Sequence, residues 1–283
     1  MIKLCAFADE YSPKLIEQIE GLKNNGISYI ELRNVDGKNV LDLTLEEAEN
    51  VYNTLKQNGI EVWSIGSPIG KVDINCDFEA YKQKVHHACK LANVFKTDKI
   101  RMFSFFHAYE KSEVVFKYLN EMCEIAKIYD VKLHHENEKD VFGDTIDRVL
   151  QIMDNVNGLY YIFDPANYIQ CGQDCALGLE KLFKTTNYFH IKDVISETGQ
   201  LVPAGYGDGK IREMLKMVDR DLVLTIEPHL AVFEGYANID NTEMTHKFVF
   251  SSNKEAFNFA VKSIKELLVE AGYSEENNAF TLK

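Results

Sequence analysis

Long apolar runs are missing from this 283-residue chain. None approaches the ~20 residues of a membrane-spanning helix, so no membrane partner is expected. The start, M-I-K-L-C-A-F-A-D-E, lacks the charged-then-apolar pattern of a secretory leader because Asp9 and Glu10 interrupt it, and a cytoplasmic protein is expected. No Cys-x-x-Cys pair occurs. Cys5, Cys76, Cys89, Cys123, Cys171 and Cys175 are scattered, mostly in apolar contexts where a free thiol packs as a small hydrophobe. Positive charge is scarce: 31 basic against 44 acidic residues give a net charge of −13, which repels a polyanionic backbone and argues against a nucleic-acid partner. No Gly-x-Gly-x-x-Gly follows the first strand-like run, which removes the best support for an open dinucleotide-binding sheet. No linker or composition break divides the chain, so residues 1–283 read as one domain.

Hydrophobic residues are plentiful, at 46%, and sustain a substantial core. Strand-like and helix-like segments alternate throughout. K-L-C-A-F (3–7) reads as a strand; Ser12-Pro13 then supplies an N-cap and a first-turn proline for a helix carrying Leu15, Ile16, Ile19 and Leu22. Further strands are predicted over 27–32, 60–65, 99–104, 131–136, 159–163, 187–191 and 221–227. Helices are predicted over 45–58, 77–94, 111–128, 144–154, 175–184, 208–218 and 253–271. Eight such units imply a parallel sheet, and their number and length fit a closed (β/α)8 TIM barrel, with a doubly wound sheet as the alternative. Two connections are long. One holds P-A-G-Y-G-D-G-K (203–210); the other, 228–252, carries Phe233, Tyr236, Phe248 and Phe250. Both fall on the face that carries barrel chemistry, as lids, as subunit contacts in a homo-oligomer, or as excursions packed by their own side chains.

Four polar residues end four successive strands in the second half: Glu136 in L-H-H-E-N-E, Asp164 in Y-I-F-D-P-A-N, His190 in Y-F-H-I-K-D and Glu227 in L-T-I-E-P-H. Each separation, from 136 to 164 to 190 to 227, is about one strand-plus-helix unit. Taken singly, each has an ordinary structural reading: a salt-bridged Glu, an Asp capping the next turn, a hydrogen-bonded core His. Together they must converge at the barrel mouth, where three buried carboxylates without a cation would be strongly destabilising. Three carboxylates and an imidazole suit one divalent ion, Mn²⁺ first, with Mg²⁺, Co²⁺ or Zn²⁺ as alternatives.

At these motifs the chain resembles the sugar-phosphate isomerase/epimerase superfamily, with the xylose isomerase-like TIM barrel. The resemblance extends over I-E-L-R-N-V-D-G-K-N-V-L-D-L (30–43), S-I-G-S-P-I-G-K (64–71), H-E-N-E-K-D-V-F-G-D-T (135–145), H-I-K-D (190–193), P-A-G-Y-G-D-G (203–209) and I-E-P-H-L (226–230). Similarity to its ketose 3-epimerases, inosose isomerases and hydroxypyruvate isomerases implies a single divalent metal on Glu136, Asp164, His190 and Glu227. It also implies a small keto sugar or polyol as substrate. The superfamily's apurinic-site endonucleases hold three zinc ions and need further histidines. Here strand 3 ends in S-I-G-S-P, and Asn167 stands where a D-x-x-H pattern would place one. The resemblance therefore implies an isomerase or epimerase, with an inosose-type dehydratase as the alternative and a nuclease further behind.

Such reactions remove a weakly acidic proton beside a carbonyl, which a metal on the oxygens and a nearby carboxylate base assist. The resemblance gives Glu136 and Glu227 these proton transfers. Substrate contacts are expected from Lys192, Asp193, His229, Arg33, Lys71 and Asn167, with Glu31 a further candidate. Strand-end salt bridges are the competing reading for several of them. Arg101 reads as a structural ion pair, and Trp63, Phe103 and Phe106 as core. The glycines at 205, 207 and 209 form either a plain turn or a backbone cradle for an anion.

Overall fold

The computed structural model describes residues 1–232 and 248–282. Eight parallel strands form one closed barrel: β1 (Ile2–Ala6), β2 (Tyr29–Leu32), β3 (Glu61–Ile69), β4 (Lys99–Met102), β5 (Lys132–Glu136), β6 (Tyr160–Phe163), β7 (Tyr188–Ile191) and β8 (Leu222–Ile226). Closure is carried by β1 against β8, from Ile2 opposite Leu222 to Ala6 opposite Ile226. Helices α1 (Leu15–Asn24), α2 (Leu45–Gln57), α3 (Phe78–Val94), α4 (Ser112–Ile128), α5 (Ile146–Asn155), α6 (Pro165–Gln170), α7 (Cys175–Leu182), α8 (Ile211–Lys216) and α9 (Asn253–Glu270) connect and follow them. The open-sheet alternative is thereby excluded.

Local chemistry sets several of these boundaries. Thr44 and Glu47 form a reciprocal capping box at α2, whose Ala48, Val51 and Leu55 are buried at helical spacing. The start of α1 departs from expectation. Ser12 Oγ accepts the Lys14 N–H at 3.2 Å, so a local turn delays the helix to Leu15. Asp36, from the hairpin after β2, caps the Leu15 N–H at 3.0 Å. Ile16, expected in the apolar stripe, is 66% exposed. Helix α8 begins at Ile211 rather than 208 because the preceding residues are wound around Asp193.

Among the elements not predicted, two stand out. One is α6, a short helix begun by Asp164 and Pro165. The other is a C-terminal hairpin, β9 (Tyr273–Glu276) and β10 (Ala279–Leu282), which turns at Asn277 and Asn278 and pairs β10 antiparallel to β1. The lower barrel interior is filled by Cys5, Ile162, Tyr188 and Val223 with Tyr29 and Trp63. All six cysteines are free thiols. In the long connection after β8, Ala231–Val232 pairs with Val249–Phe250, while Phe248 and Phe250 pack against Phe259. Phe233 and Tyr236 lie outside the described residues. Among the described residues, no helix is long and apolar enough to cross a membrane.

Candidate metal and proton-transfer site

The parallel barrel brings the C-terminal ends of β5 to β8 to one rim. Glu136, Asp164, His190 and Glu227 meet there, all buried, each offering a ligand atom within 4.8 Å of the others. A single ion with bonds of about 2.0–2.2 Å links donors up to about 4.4 Å apart, so the four need to close in by only a few tenths of an ångström to share one. The two functions weighed for Asp164 are divided between its oxygens. Oδ1 caps α6 by accepting the Asn167 N–H at 2.9 Å, while Oδ2 faces the cluster. Neither Asp164 Oδ2 nor Glu227 Oε2 accepts a well-directed hydrogen bond, although both are buried. The Lys192 ammonium lies 2.8 Å from the first and 3.8 Å from the second, as a point charge. Unsatisfied carboxylate oxygens beside an imidazole are a donor set that fits a divalent cation.

His190 links the cluster to the barrel interior. Its Nδ1 lies 3.0 Å from Glu136 Oε1 and 3.2 Å from Glu227 Oε2. Its Nε2 faces the opposite way, 3.2 Å from Glu31 Oε2. Arg101, from β4, lies 3.2 Å from Glu136 Oε2 and 3.6 Å from Glu227 Oε1. Arg33, from the end of β2, holds Asp9 through two nitrogens at 2.8 and 3.1 Å, and Glu227 Oε1 through a third at 2.8 Å.

Burial and charge pull the four groups apart: burial disfavours the charged His190 ring, but Glu136 and Glu31 overcome it and raise the group well above its ordinary value. Burial opposes ionisation of Glu136, but His190 and Arg101 overcome it and hold the carboxyl at about 2. Burial likewise opposes ionisation of Glu227, and Lys192 and His190 bring it well below the usual carboxylate range. For Asp164 burial prevails over the attraction of Lys192 and pushes the carboxyl up to about 7. Six carboxylates (Asp9, Glu10, Glu31, Glu136, Asp164, Glu227) thus face three permanent cations (Arg33, Arg101, Lys192) in this network. Burial raises Glu10 to about 8 and Asp164 to about 7, and the carboxylates around His190 favour its protonated form, so the charges of the metal-free network nearly balance.

The residues expected at the substrate divide. His229 is 41% exposed at the mouth, its Nε2 3.2 Å from Glu10 Oε1 and 3.6 Å from Glu227 Oε1. Lys71 lies at the rim, bonded to Glu138 at 2.8 Å and 4.2 Å from the centre of the Phe103 ring. Arg33 and Lys192 are engaged by the cluster's carboxylates. Asn167 is buried and donates to Glu136 Oε1 at 3.3 Å and to the Asn137 carbonyl at 2.9 Å, so its amide braces Glu136.

Asp193 is the clear correction. Its buried carboxylate accepts N–H groups from Val194, Gly205, Gly207 and Gly209 at 2.8–3.1 Å, which leaves nothing for a substrate. The anion in the glycine cradle is therefore the protein's own. A Cβ on Gly207 would stand 2.4 Å from Asp193 Oδ1, which is why that position needs glycine. Arg101 forms the ion pair expected of it, with the cluster's own Glu136 as partner, whereas Glu31, a candidate for substrate contact, lies behind His190. The signal for both was a charged residue inside an otherwise apolar strand.

Comparison with known proteins agrees with this architecture. The family model described as "Xylose isomerase-like TIM barrel" matches residues 19–247. A curated 3-dehydroshikimate dehydratase from Bacillus anthracis is 26% identical over 180 residues, which span 61% of this chain and 64% of that relative's length. A structure of L-ribulose 3-epimerase superposes with a TM-score of 0.71 at 16% identity, covering 96% of each chain. A structure of the IOLI protein, described with a zinc atom, superposes with a TM-score of 0.71 at 15% identity, covering 95% of this chain and 99% of its own. With most of its length matched by the family model and its eight strands closed into the corresponding barrel, the chain belongs to the xylose isomerase-like TIM barrel family.

Proposed function

We propose that this protein is a divalent-metal-dependent isomerase or epimerase of a keto sugar or related polyol. The observation that carries the reading is the convergence of two ionised carboxylates, Glu136 and Glu227, on one nitrogen of His190, at 3.0 and 3.2 Å. Proton transfer beside a carbonyl needs a base held at the carbon, and epimerisation needs a second group on the opposite face. Glu136, Asp164, His190 and Glu227 would hold the ion. When bound, it would polarise the substrate carbonyl and stabilise negative charge developing on oxygen. Manganese is the ion we expect from three oxygen donors and one nitrogen, and the zinc named for the IOLI structure makes zinc the first competitor.

The remaining residues set the stage for that proton transfer. His190 and Arg101 keep Glu136 ionised, and Lys192 and His190 keep Glu227 ionised, the form able to accept a proton. Asn167 fixes Glu136 from the opposite side to Arg101. His229, partly open at the mouth, is placed to bond a substrate hydroxyl.

A second reading is supported by the match to a dehydratase: the same proton removal followed by loss of a β-hydroxyl as water. The test is to strip the protein of metal and reload it with Mn²⁺, Co²⁺, Mg²⁺ or Zn²⁺. It is then incubated in D₂O with ketoses, inososes and 3-dehydroshikimate and followed by NMR and mass spectrometry. Deuterium entering beside the carbonyl without water loss supports isomerisation, and loss of water supports the dehydratase. Absence of both with every substrate and metal refutes the shared chemistry.

A further inference from the structure

We infer that Glu31 is a positioning residue that fixes which nitrogen of His190 faces the carboxylate cluster and so governs how tightly a divalent ion is held. The inference rests on reading Glu136, Asp164, His190 and Glu227 as one metal site. Glu31 comes from β2, across the barrel from His190 on β7, and is fully buried. Its two oxygens are both engaged: Oε1 accepts the Tyr188 hydroxyl at 3.1 Å, and Oε2 lies 3.2 Å from His190 Nε2. The Tyr188 hydroxyl is also 3.3 Å from Ser64 Oγ, which ties β2, β3 and β7 together beneath the site. Glu31 is therefore out of reach of a substrate.

The chemistry of the imidazole does the rest. A neutral ring carries one N–H and one lone pair, and a metal takes the lone pair. The Glu31 carboxylate only accepts hydrogen bonds, so it draws the N–H to Nε2. Without a metal, Glu136 and Glu227 draw a proton to Nδ1 in the same way; when a divalent ion replaces that proton, Glu31 keeps the remaining N–H on Nε2 and leaves the Nδ1 lone pair to the ion. The ring plane is held as well. Phe7 packs edge-on at 5.2 Å and 82°, and Tyr188 lies at 5.7 Å and 57°. In the metal-loaded protein the opposite tautomer would set a ring N–H against the ion and a lone pair against Glu31.

The test uses the full chain. Zinc affinity is measured by chelator competition for wild type, Glu31→Ala, Glu31→Gln and His190→Ala, with folding checked by circular dichroism. The side-chain nitrogens of His190 are read by ¹⁵N NMR in the zinc-loaded wild type. Expected are a loss of about 10- to 100-fold in zinc affinity for Glu31→Ala and partial recovery in Glu31→Gln, whose amide oxygen still accepts the N–H. The spectrum should show zinc on Nδ1 and a proton on Nε2. Unchanged affinity in Glu31→Ala, or zinc on Nε2, overturns the inference. Should Glu31→Ala fail to fold, unchanged affinity in Glu31→Gln together with zinc on Nε2 has the same force. A wild type that binds zinc no better than His190→Ala would instead refute the metal site itself, and the role of Glu31 with it.

Discussion

Replacing Lys192 with methionine removes a cation that is 5% exposed and lies 2.8 Å from Asp164 Oδ2 and 3.8 Å from Glu227 Oε2. Both partners are almost wholly buried, so no solvent takes over the lost charge. Breaking one side of a buried ion pair costs about 3–5 kcal/mol because the remaining charge is left uncompensated. With an unfolding entropy of ~2.1 cal/mol/K per residue, the 283 residues give about 0.6 kcal/mol/K, and Tm falls by about 5–8 °C. Protonation moderates the loss. Burial already raises Asp164 to about 7, and without Lys192 it takes up a proton more readily. The deficit is therefore smaller at about pH 6 than at about pH 8. A divalent ion replaces the missing charge, so the gap also narrows on metal saturation. The measurement is thermal unfolding of wild type and Lys192→Met, with and without Mn²⁺ or Zn²⁺, at both pH values. A metal-free variant melting within about 2 °C of wild type at the higher pH, or a gap that metal leaves unchanged, would refute the reasoning.

Three further outcomes are expected. Glu227→Gln should retain the fold by circular dichroism yet lose at least ~10²–10⁴-fold in turnover on the true substrate, and undiminished turnover would end its assignment as a proton-transfer group. Metal affinity should rise as pH passes upward through about 7, because Asp164 is protonated below that value in the metal-free protein. The stability conferred by its raised value is lost over the same window, between its ordinary range and about 7. Calorimetric titration at several pH values checks this, and a flat profile across neutrality contradicts it. Asp193→Asn should cost about 1.5–3 kcal/mol by weakening the bonds from Gly205, Gly207 and Gly209, seen as a lower Tm and faster proteolysis within 203–210. Equal protease resistance would show that the loop holds without the carboxylate.

Period and punctuation made the barrel legible. Alternating strands and helices bounded by Gly26, Gly59 and Thr44 locate eight parallel strands, whose C-terminal ends must share a rim. Errors arose where a long-range partner outcompeted a local signal. Ser12-Pro13 looked like a helix start, but the cap came from Asp36. The C-terminal hairpin stayed hidden because Y-S-E-E is polar and becomes a strand only by pairing with β10, itself paired to β1. Asp193 is adjacent in sequence to a substrate candidate, yet alternation along the strand and three glycine N–H groups turn it into a loop anchor.

By itself the sequence determined the acids and base at the ends of β5 to β8, because side-chain identity and strand spacing are local properties. Only the tertiary structure decided how their charges are shared. Burial pushes Asp164 toward neutrality, while Glu136 and Glu227 are held ionised by His190, Arg101 and Lys192 brought together from different strands. It also decided that Glu31, more than 150 residues away along the chain, stands behind His190 at 3.2 Å. Closure of the barrel creates that contact. Electrostatic coupling depends on distance through the fold, which a linear chain does not record.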